Sequence, residues 1–247
     1  MIKEGRKDRT RRTITSIDAN YENQWETYTL TNERYWSTLV DPSDVDESDY
    51  VVSIANITKI FNDTEKVPEM DKLFSRKKEL DTESKQIKSL NLTEENFLAT
   101  FDELMEQMDE AGVPAEGRVI FCTPAVKRMI KNIKQFGRTV NIHGQGTVID
   151  RSIGRLDDVT IEPSIPSDRM KTVYNFTNGA KVDPTAKQIH FFLIHIPCMA
   201  APQKYEFVGL DAPSASSSGN YLYYEQSYDD VLLFKTKHEG LAFVVAP

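Results

Sequence analysis

Residues 189–196 read Ile-His-Phe-Phe-Leu-Ile-His-Ile, a strongly apolar run whose only polar interruptions are His190 and His195. Eight such residues are short for a helix and fit a strand hidden on both faces, which other elements must then cover. The two histidines are five positions apart, so a strand points them to opposite faces. They are expected to be hydrogen-bonded structural residues and not a ligand pair. Around this strand the chain alternates helical and extended patterns, and its 39% hydrophobic and 28% charged residues describe a folded chain, neither disordered nor membrane-embedded. At 247 residues it can hold one large or two small domains, each with its own core.

Helical signals come first in the middle of the chain. An acidic cluster runs from Asp41 to Asp49, and Ser48 with Asp46, Glu47 and Asp49 fits a helix start. The cluster lacks the glycine turn and ligand spacing of a calcium loop, so no metal is expected there. Val51, Ile54, Ile57 or Thr58, and Phe61 then recur at helical spacing. A helix over 49–66 would be about 27 Å long at roughly 1.5 Å per residue. Pro68 should kink or restart it before a second stretch over 69–80, because proline brings no N–H and clashes with the preceding turn. Residues 82–92 read as a linker. Thr93 opens another helix with Phe97, Phe101, Leu104, Met105 and Met108 inward, ended by Gly112 and Pro114. A short strand at 118–122 leads into a helix capped by Thr123-Pro124, with Val126, Met129, Ile130 and Ile133 inside.

Extended patterns fill both ends. Residues 13–40 carry Trp25, Tyr28, Tyr35 and Trp36 among threonines, as strands prefer, with a bend at Asn32-Glu33. Later strands are expected at 159–162, 205–208, 221–226, 231–234 and 241–245. A serine-rich, exposed and flexible loop is expected over 211–220, and a last turn at Lys237-His238-Glu239-Gly240. A strand at the end would anchor the C-terminus in a sheet.

Chemistry-bearing motifs are missing. The sequence has no nucleophile elbow, His-Glu-x-x-His, P-loop or Cys-x-x-Cys, and Gly144-x-Gly146 lacks the third glycine and the following helix of a dinucleotide cradle. Cys122 and Cys198 sit in apolar surroundings and read as buried thiols. No catalytic residue, cofactor or metal ligand is assigned. The first twelve residues hold six cations (Lys3, Arg6, Lys7, Arg9, Arg11, Arg12) against Glu4 and Asp8, a net +4 on a chain of net charge -8. Such an arm can bind nucleic acid, the acidic surface of an identical neighbour, or only water. It has no apolar stretch of the kind a secretory signal needs, so the chain is expected to stay in the cytoplasm where it is made.

Five phrases in order carry a resemblance. They are Trp25-Glu-Thr-Tyr-Thr-Leu-Thr-Asn-Glu-Arg34, Val40-Asp-Pro-Ser-Asp-Val-Asp-Glu-Ser48, Val67-Pro-Glu-Met-Asp71, Val113-Pro-Ala-Glu-Gly-Arg118 running into Thr123-Pro124, and Tyr228-Asp-Asp-Val231. With the order of elements, they make the chain resemble the major capsid proteins of tailed double-stranded DNA bacteriophages, the Hong Kong 97 type. That resemblance implies an α+β fold of E-loop, peripheral domain (a long spine helix with an antiparallel sheet) and axial α/β domain. Residues 1–48 would be the E-loop and return strand, 49–89 the spine, 90–210 the axial domain, and 211–247 strands returning to the peripheral sheet, beside the Trp25 strand, and to the axial domain. Family members carry an arm ahead of the E-loop, whereas this chain starts almost inside it, and no Lys-Asn crosslink motif matches.

The implied function is structural: self-assembly as pentamers and hexamers into an icosahedral head around double-stranded DNA. The implied partners are copies of itself, scaffold, portal and decoration proteins, and DNA without sequence-specific contact, with no membrane. Contact between subunits is expected at Lys3, Arg6, Lys7, Arg9, Arg11 and Arg12, meeting Asp44, Asp46, Glu47 and Asp49 of a neighbour. Two other readings stay open, an encapsulin-like compartment and a nucleic-acid-binding protein using the basic arm, the latter opposed by the net charge.

Overall fold

The structure is a computed structural model and describes residues 25, 27–48, 53–80, 87–133, 154–177 and 179–247. It divides into two units, residues 1–30 and 31–247. The described residues of the first unit, 25 and 27–30, lie in no strand, so the strand expected around Trp25 is not seen there. The basic arm and Gly144-x-Gly146 fall outside the described residues. Everything below concerns the second unit.

The second unit opens with strand β1 (Asn32–Val40). Asn32 and Glu33 are its first two rungs, paired with Asp229 and Tyr228, and not the bend expected. Helix α1 (Pro42–Glu47) follows, with Asp41 accepting from Ser43 N–H and Pro42 in the first turn. Ser48 therefore ends a short helix where the sequence had suggested the start of a long one. The Asp-Pro pair wins because proline's fixed φ and spare N–H suit the first turn. Helix α2 (Ile54–Phe61) starts at Ser53, whose hydroxyl accepts from Asn56 N–H. Its Ile54, Ile57, Thr58 and Phe61 are partly buried and Ala55, Asn56, Lys59 and Ile60 exposed, so the expected stripe is present.

At Pro68 the regular helix is interrupted and restarts, as expected. A π turn over Asn62–Lys66, in which Val67 N–H reaches back to the Asn62 carbonyl, joins α2 to α3 (Val67–Leu80). The wider turn shifts the carbonyl that the Pro68 ring would otherwise strike, so α3 restarts with the proline in its first turn. Strand β2 (Ile87–Ser89) then replaces part of the expected linker.

Helix α4 (Phe97–Glu110) buries Phe97, Thr100, Phe101, Leu104 and Met108. Gly112 at φ +72 ends it, with Val113 N–H on the Met108 carbonyl and Gly112 N–H on that of Asp109, a Schellman closure that needs a left-handed residue. Strand β3 (Arg118–Cys122) and helix α5 (Pro124–Asn132) follow as expected, with Thr123 Oγ1 accepting from Val126 N–H. The short strands β4 (Arg155–Leu156), β5 (Val159–Ile161), β6 (Tyr174–Asn175) and β7 (Lys181–Val182) precede the buried strand β8 (Ile189–His195). After β9 (Met199–Ala200) come β10 (Gln203–Asp211) and β11 (Tyr221–Asp229), both longer than the sequence pattern suggested. Residues 212–220 between them are mostly exposed, as expected, and form turns, with the buried Ser217 hydroxyl on the Asn220 carbonyl at 2.6 Å. β12 (Leu232–Leu233) and β13 (Leu241–Val245) finish the chain.

Two main sheets result. The larger has the order β2-β13-β8-β3-β5-β4, so the C-terminal strand lies inside it, between β2 and β8. One face of this sheet packs Ile120, Phe191, Leu193 and Val244 against Phe97, Phe101, Leu104 and Met108 of α4 and Val126 and Ile130 of α5. The other face gathers Phe192, Ile194, Phe243, Met170 and Cys198. Apolar material on both faces is what the run at 189–196 required. The smaller sheet has the order β1-β11-β10 and is antiparallel throughout.

Candidate contact surfaces

The smaller sheet has one covered and one open face. On the covered face the Trp36 ring lies on Phe61 of α2 at 4.0 Å and 9°, with Tyr223 tilted against it at 5.5 Å. Arg34 grips Glu69 of α3 with two nitrogens, at 2.5 and 3.2 Å, and donates to the Phe176 carbonyl at 2.7 Å. A flat guanidinium suits that two-point grip, which a lysine could not make. Lys66 reaches Glu225 at 3.3 Å and Glu206 at 3.5 Å. Tyr223 donates to Glu225 at 2.7 Å, and burial followed by that bond pushes its hydroxyl up to about 12.

Asp230, fully buried, closes the end of this sheet. It accepts from Thr31 N–H at 2.8 Å, Thr31 Oγ1 at 3.1 Å and Val231 N–H at 2.8 Å. Beside it Asn32 Nδ2 donates to Asp229 at 2.7 Å. These bonds explain the Tyr228-Asp-Asp-Val231 phrase: its carboxylates pin two chain segments almost two hundred residues apart.

The opposite face carries several exposed aromatic groups. Strand register places Glu33, Tyr35, Ser37 and Leu39 of β1 beside Leu222, Tyr224, Gln226 and Tyr228 of β11, and Tyr205 and Phe207 of β10 beyond them. Tyr35 is 73% exposed, Leu39 56%, Tyr205 50% and Phe207 47%. The rings of Tyr35 and Phe207 both lie against Tyr224, at 6.1 and 6.3 Å. Val208 and Leu210 are also exposed on β10, which is an edge strand. An exposed apolar face beside an open edge is the usual mark of an interaction surface.

Of the residues singled out as contact candidates, Asp44, Asp46 and Glu47 lie exposed on α1, which buries none of its residues. Asp49 and the six cations from Lys3 to Arg12 lie outside the described residues. The open aromatic face was not found from sequence, although a signal existed: Tyr35 and Trp36 are adjacent, so β1 must show an aromatic ring on each side.

Nothing described resembles a reaction centre. Among the described residues no group of three or more His, Cys, Asp or Glu side chains could hold a metal, and no helix is long and apolar enough to cross a membrane. Both cysteines are fully buried, and burial pushes the Cys122 thiol up to about 11, against a smaller opposing pull from Lys127. His190 and His195 both titrate below the ordinary imidazole value, each chiefly through burial, with the Arg118 charge adding to the effect at His195. His195 is hydrogen-bonded to the Glu116 backbone, as expected of a structural histidine, whereas His190 Nε2 has no hydrogen-bond partner among the described residues.

No family model and no curated protein matches the sequence. Solved structures do match. The capsid structure of cyanophage P-SCSP1u aligns over 95% of this chain and 80% of that one, with a TM-score of 0.60 and 10% identity. The mature capsid of bacteriophage PhiM1 aligns over 95% and 78%, at 0.54 and 14%. The SrpI encapsulin of Synechococcus elongatus PCC 7942 aligns over 88% and 74%, at 0.53 and 13%. The chain therefore has an α+β fold found in proteins that build closed shells. That is the fold which the Hong Kong 97-type resemblance implied.

Proposed function

We propose that the chain is the major capsid protein of a tailed bacteriophage, a structural subunit that assembles as pentamers and hexamers into an icosahedral head around double-stranded DNA. The observation that carries this reading is the open aromatic face of the small sheet, in a chain with a capsid fold. A fold alone does not fix a function. A face with Tyr35, Leu39, Tyr205 and Phe207 in water, however, is a cost that association removes.

In this reading the small sheet with α2 and α3 is the peripheral part, and the six-stranded sheet with α4 and α5 the axial part. The boundary between them near the C-terminal half then falls before Gln203, because β10 pairs with β11. Residues 1–48 supply the E-loop, laid over a neighbour, and Lys3, Arg6, Lys7, Arg9, Arg11 and Arg12 pair with Asp44, Asp46, Glu47 and Asp49 of that neighbour. Each exposed pair contributes ~0–1 kcal/mol, so their weight comes from repetition over the shell. Scaffold, portal and decoration proteins are its other partners. The virion is its final location.

Negative-stain imaging with light scattering tests the reading. Purified protein should form closed particles, and Tyr35→Lys with Phe207→Lys should leave a folded chain that stops at small species. A chain that stays monomeric at every salt and pH tried would refute it. The encapsulin fold match supports a second reading, a cargo compartment. Particles carrying protein and no DNA from expressing cells would favour that one.

A further inference from the structure

The chain passes between its two main sheets three times. One passage, between α3 and β2, lies outside the described residues. The other two run side by side. β9 lies on the way from β8 to β10 and β12 on the way back from β11 to β13, and they pair as Ala200 with Leu232 and Met199 with Leu233. Beside them Asp230 N–H reaches the Pro202 carbonyl at 3.2 Å. Two residue pairs and this bond make a narrow joint, with far fewer backbone bonds than either sheet, and such joints flex first.

A second connection is made by residues 167–182, which root in the six-stranded sheet. Met170 is fully buried on its second face, and the Met170 carbonyl accepts from Ile189 N–H and Gln188 Nε2, both at 2.9 Å. The Tyr174 hydroxyl stiffens that root, donating to the Asp168 carbonyl at 3.0 Å and accepting from Lys171 N–H at 2.7 Å. From there the β6–β7 hairpin meets the other body. Arg34 of β1 donates to the Phe176 carbonyl at 2.7 Å, Lys72 of α3 donates to the Ala180 carbonyl at 2.8 Å, and Arg169 meets Asp71 of α3 at 3.2 Å. Two cations thus hold carbonyls on either side of the hairpin tip, where Gly179 at φ +70 turns the chain. Arg34 also grips Glu69, so the small sheet and α3 hold the hairpin as one body.

We infer that the β6–β7 hairpin is a latch across this joint. Closed, it fixes the angle between the small sheet with α3 and the six-stranded sheet; released, the two bodies swing about β9 and β12. The contacts suit release. Each is a charged head on a single acceptor group of the other body, and the Arg169 and Asp71 side chains are 25% and 33% exposed, within reach of water and salt. Opening costs neither sheet a strand pair, because β6 and β7 pair only with each other. The latch is a property of the single chain and does not rest on the shell reading.

Distances between paired spin labels test it in the full, unassembled chain. Asp63→Cys in the π turn ahead of α3 and Glu106→Cys on α4 place one exposed label on each body, while the two native thiols are buried and stay unlabelled. With the latch intact the distance should be single and narrow. Lys72→Met with Arg169→Gln removes two of the three contacts and should broaden or shift it while circular dichroism stays unchanged. Hydrogen exchange at β6 and β7 should quicken about tenfold in that variant, with β8 and β11 as protected as before. Lys72→Arg, which keeps a donor, should match the parent. Should the double variant unfold, Lys72→Met alone is read in the same way. A narrow, unshifted distance in the folded variant, or a broad one in the parent, would overturn the latch.

Discussion

Arg118 is the one basic side chain among the fully buried large residues that the structure describes, and its removal gives a calculable loss. The guanidinium donates through Nε to the Pro114 carbonyl at 3.0 Å and through Nη2 to the Val113 carbonyl and to Asp109 at 2.7 Å. It thereby ties the turn after α4 to the first residue of β3. In Arg118→Met the shape is nearly kept, so packing loss is small. The Asp109 carboxylate, 64% exposed, returns to water at little cost. The two carbonyls lose their donor, at ~1–2 kcal/mol each. Against this stands the relief of no longer burying a cation, which offsets about 1 kcal/mol. The net loss is about 1–3 kcal/mol. At a urea slope of ~3 kcal/mol per M, the midpoint falls by roughly 0.3–1 M.

Two controls separate the causes. Asp109→Asn keeps an acceptor and sits half in water, so it should cost less than about 1 kcal/mol. Arg118→Lys should fall between parent and Arg118→Met, since a single ammonium cannot serve three acceptors spread around a planar fork. Urea titrations of the three variants, followed by circular dichroism in conditions that keep the chain unassembled, supply the numbers. A midpoint for Arg118→Met at or above the parent's, with Asp109→Asn lower, would refute the reasoning. The exposed ion pair would then matter, and not the two carbonyls.

Other consequences are quicker to check. Gly112→Ala should cost ~1 kcal/mol by thermal or urea melting, a pure backbone cost, because φ is +72 and an added Cβ meets nothing within 4 Å. With its thiol raised to about 11, Cys122 should resist alkylation at pH 8 in the folded chain and react promptly in guanidinium. Burial lowers His190 below its ordinary 6.5, so the unfolded chain binds the proton more readily. Stability from this group is full above pH 6.5 and declines as pH falls through the lower folded value; His190→Leu should lose less between neutral and mildly acid pH in urea titrations.

Local signals were legible because their chemistry closes within a few residues. Thr123-Pro124, the glycine stop at 112 and the run at 189–196 each contain both the group and its partner, or the whole burial pattern. Signals that depend on distant partners were not. Ile87–Ser89 becomes a strand only because it runs parallel to β13, more than 150 positions on. The length of β10 is set by β11, as its own alternation is blurred by apolar residues on both faces. Ser48 was misread because two start signals compete within eight residues, and only the Asp41 cap shows which one wins. At Pro68 the interruption was legible but its form was not: a π turn is a geometric accommodation that leaves no residue signature of its own.

Interior and surface use different chemistry. Inside, the described ionic groups are paired: Asp230 accepts three bonds and Arg118 donates to two carbonyls and a carboxylate. Outside, the groups are left in excess: a row of rings on the small sheet, an open β10 edge, and the acidic surface of α4. These two outer chemistries act over different distances. Surface charge is felt across a Debye length, whereas the aromatic face gains only when water is expelled at contact. Orientation by charge followed by locking through apolar contact is the order that physics imposes on such a pair of surfaces. High salt should then slow assembly more than it loosens a finished particle, because the apolar contacts made last do not depend on screening.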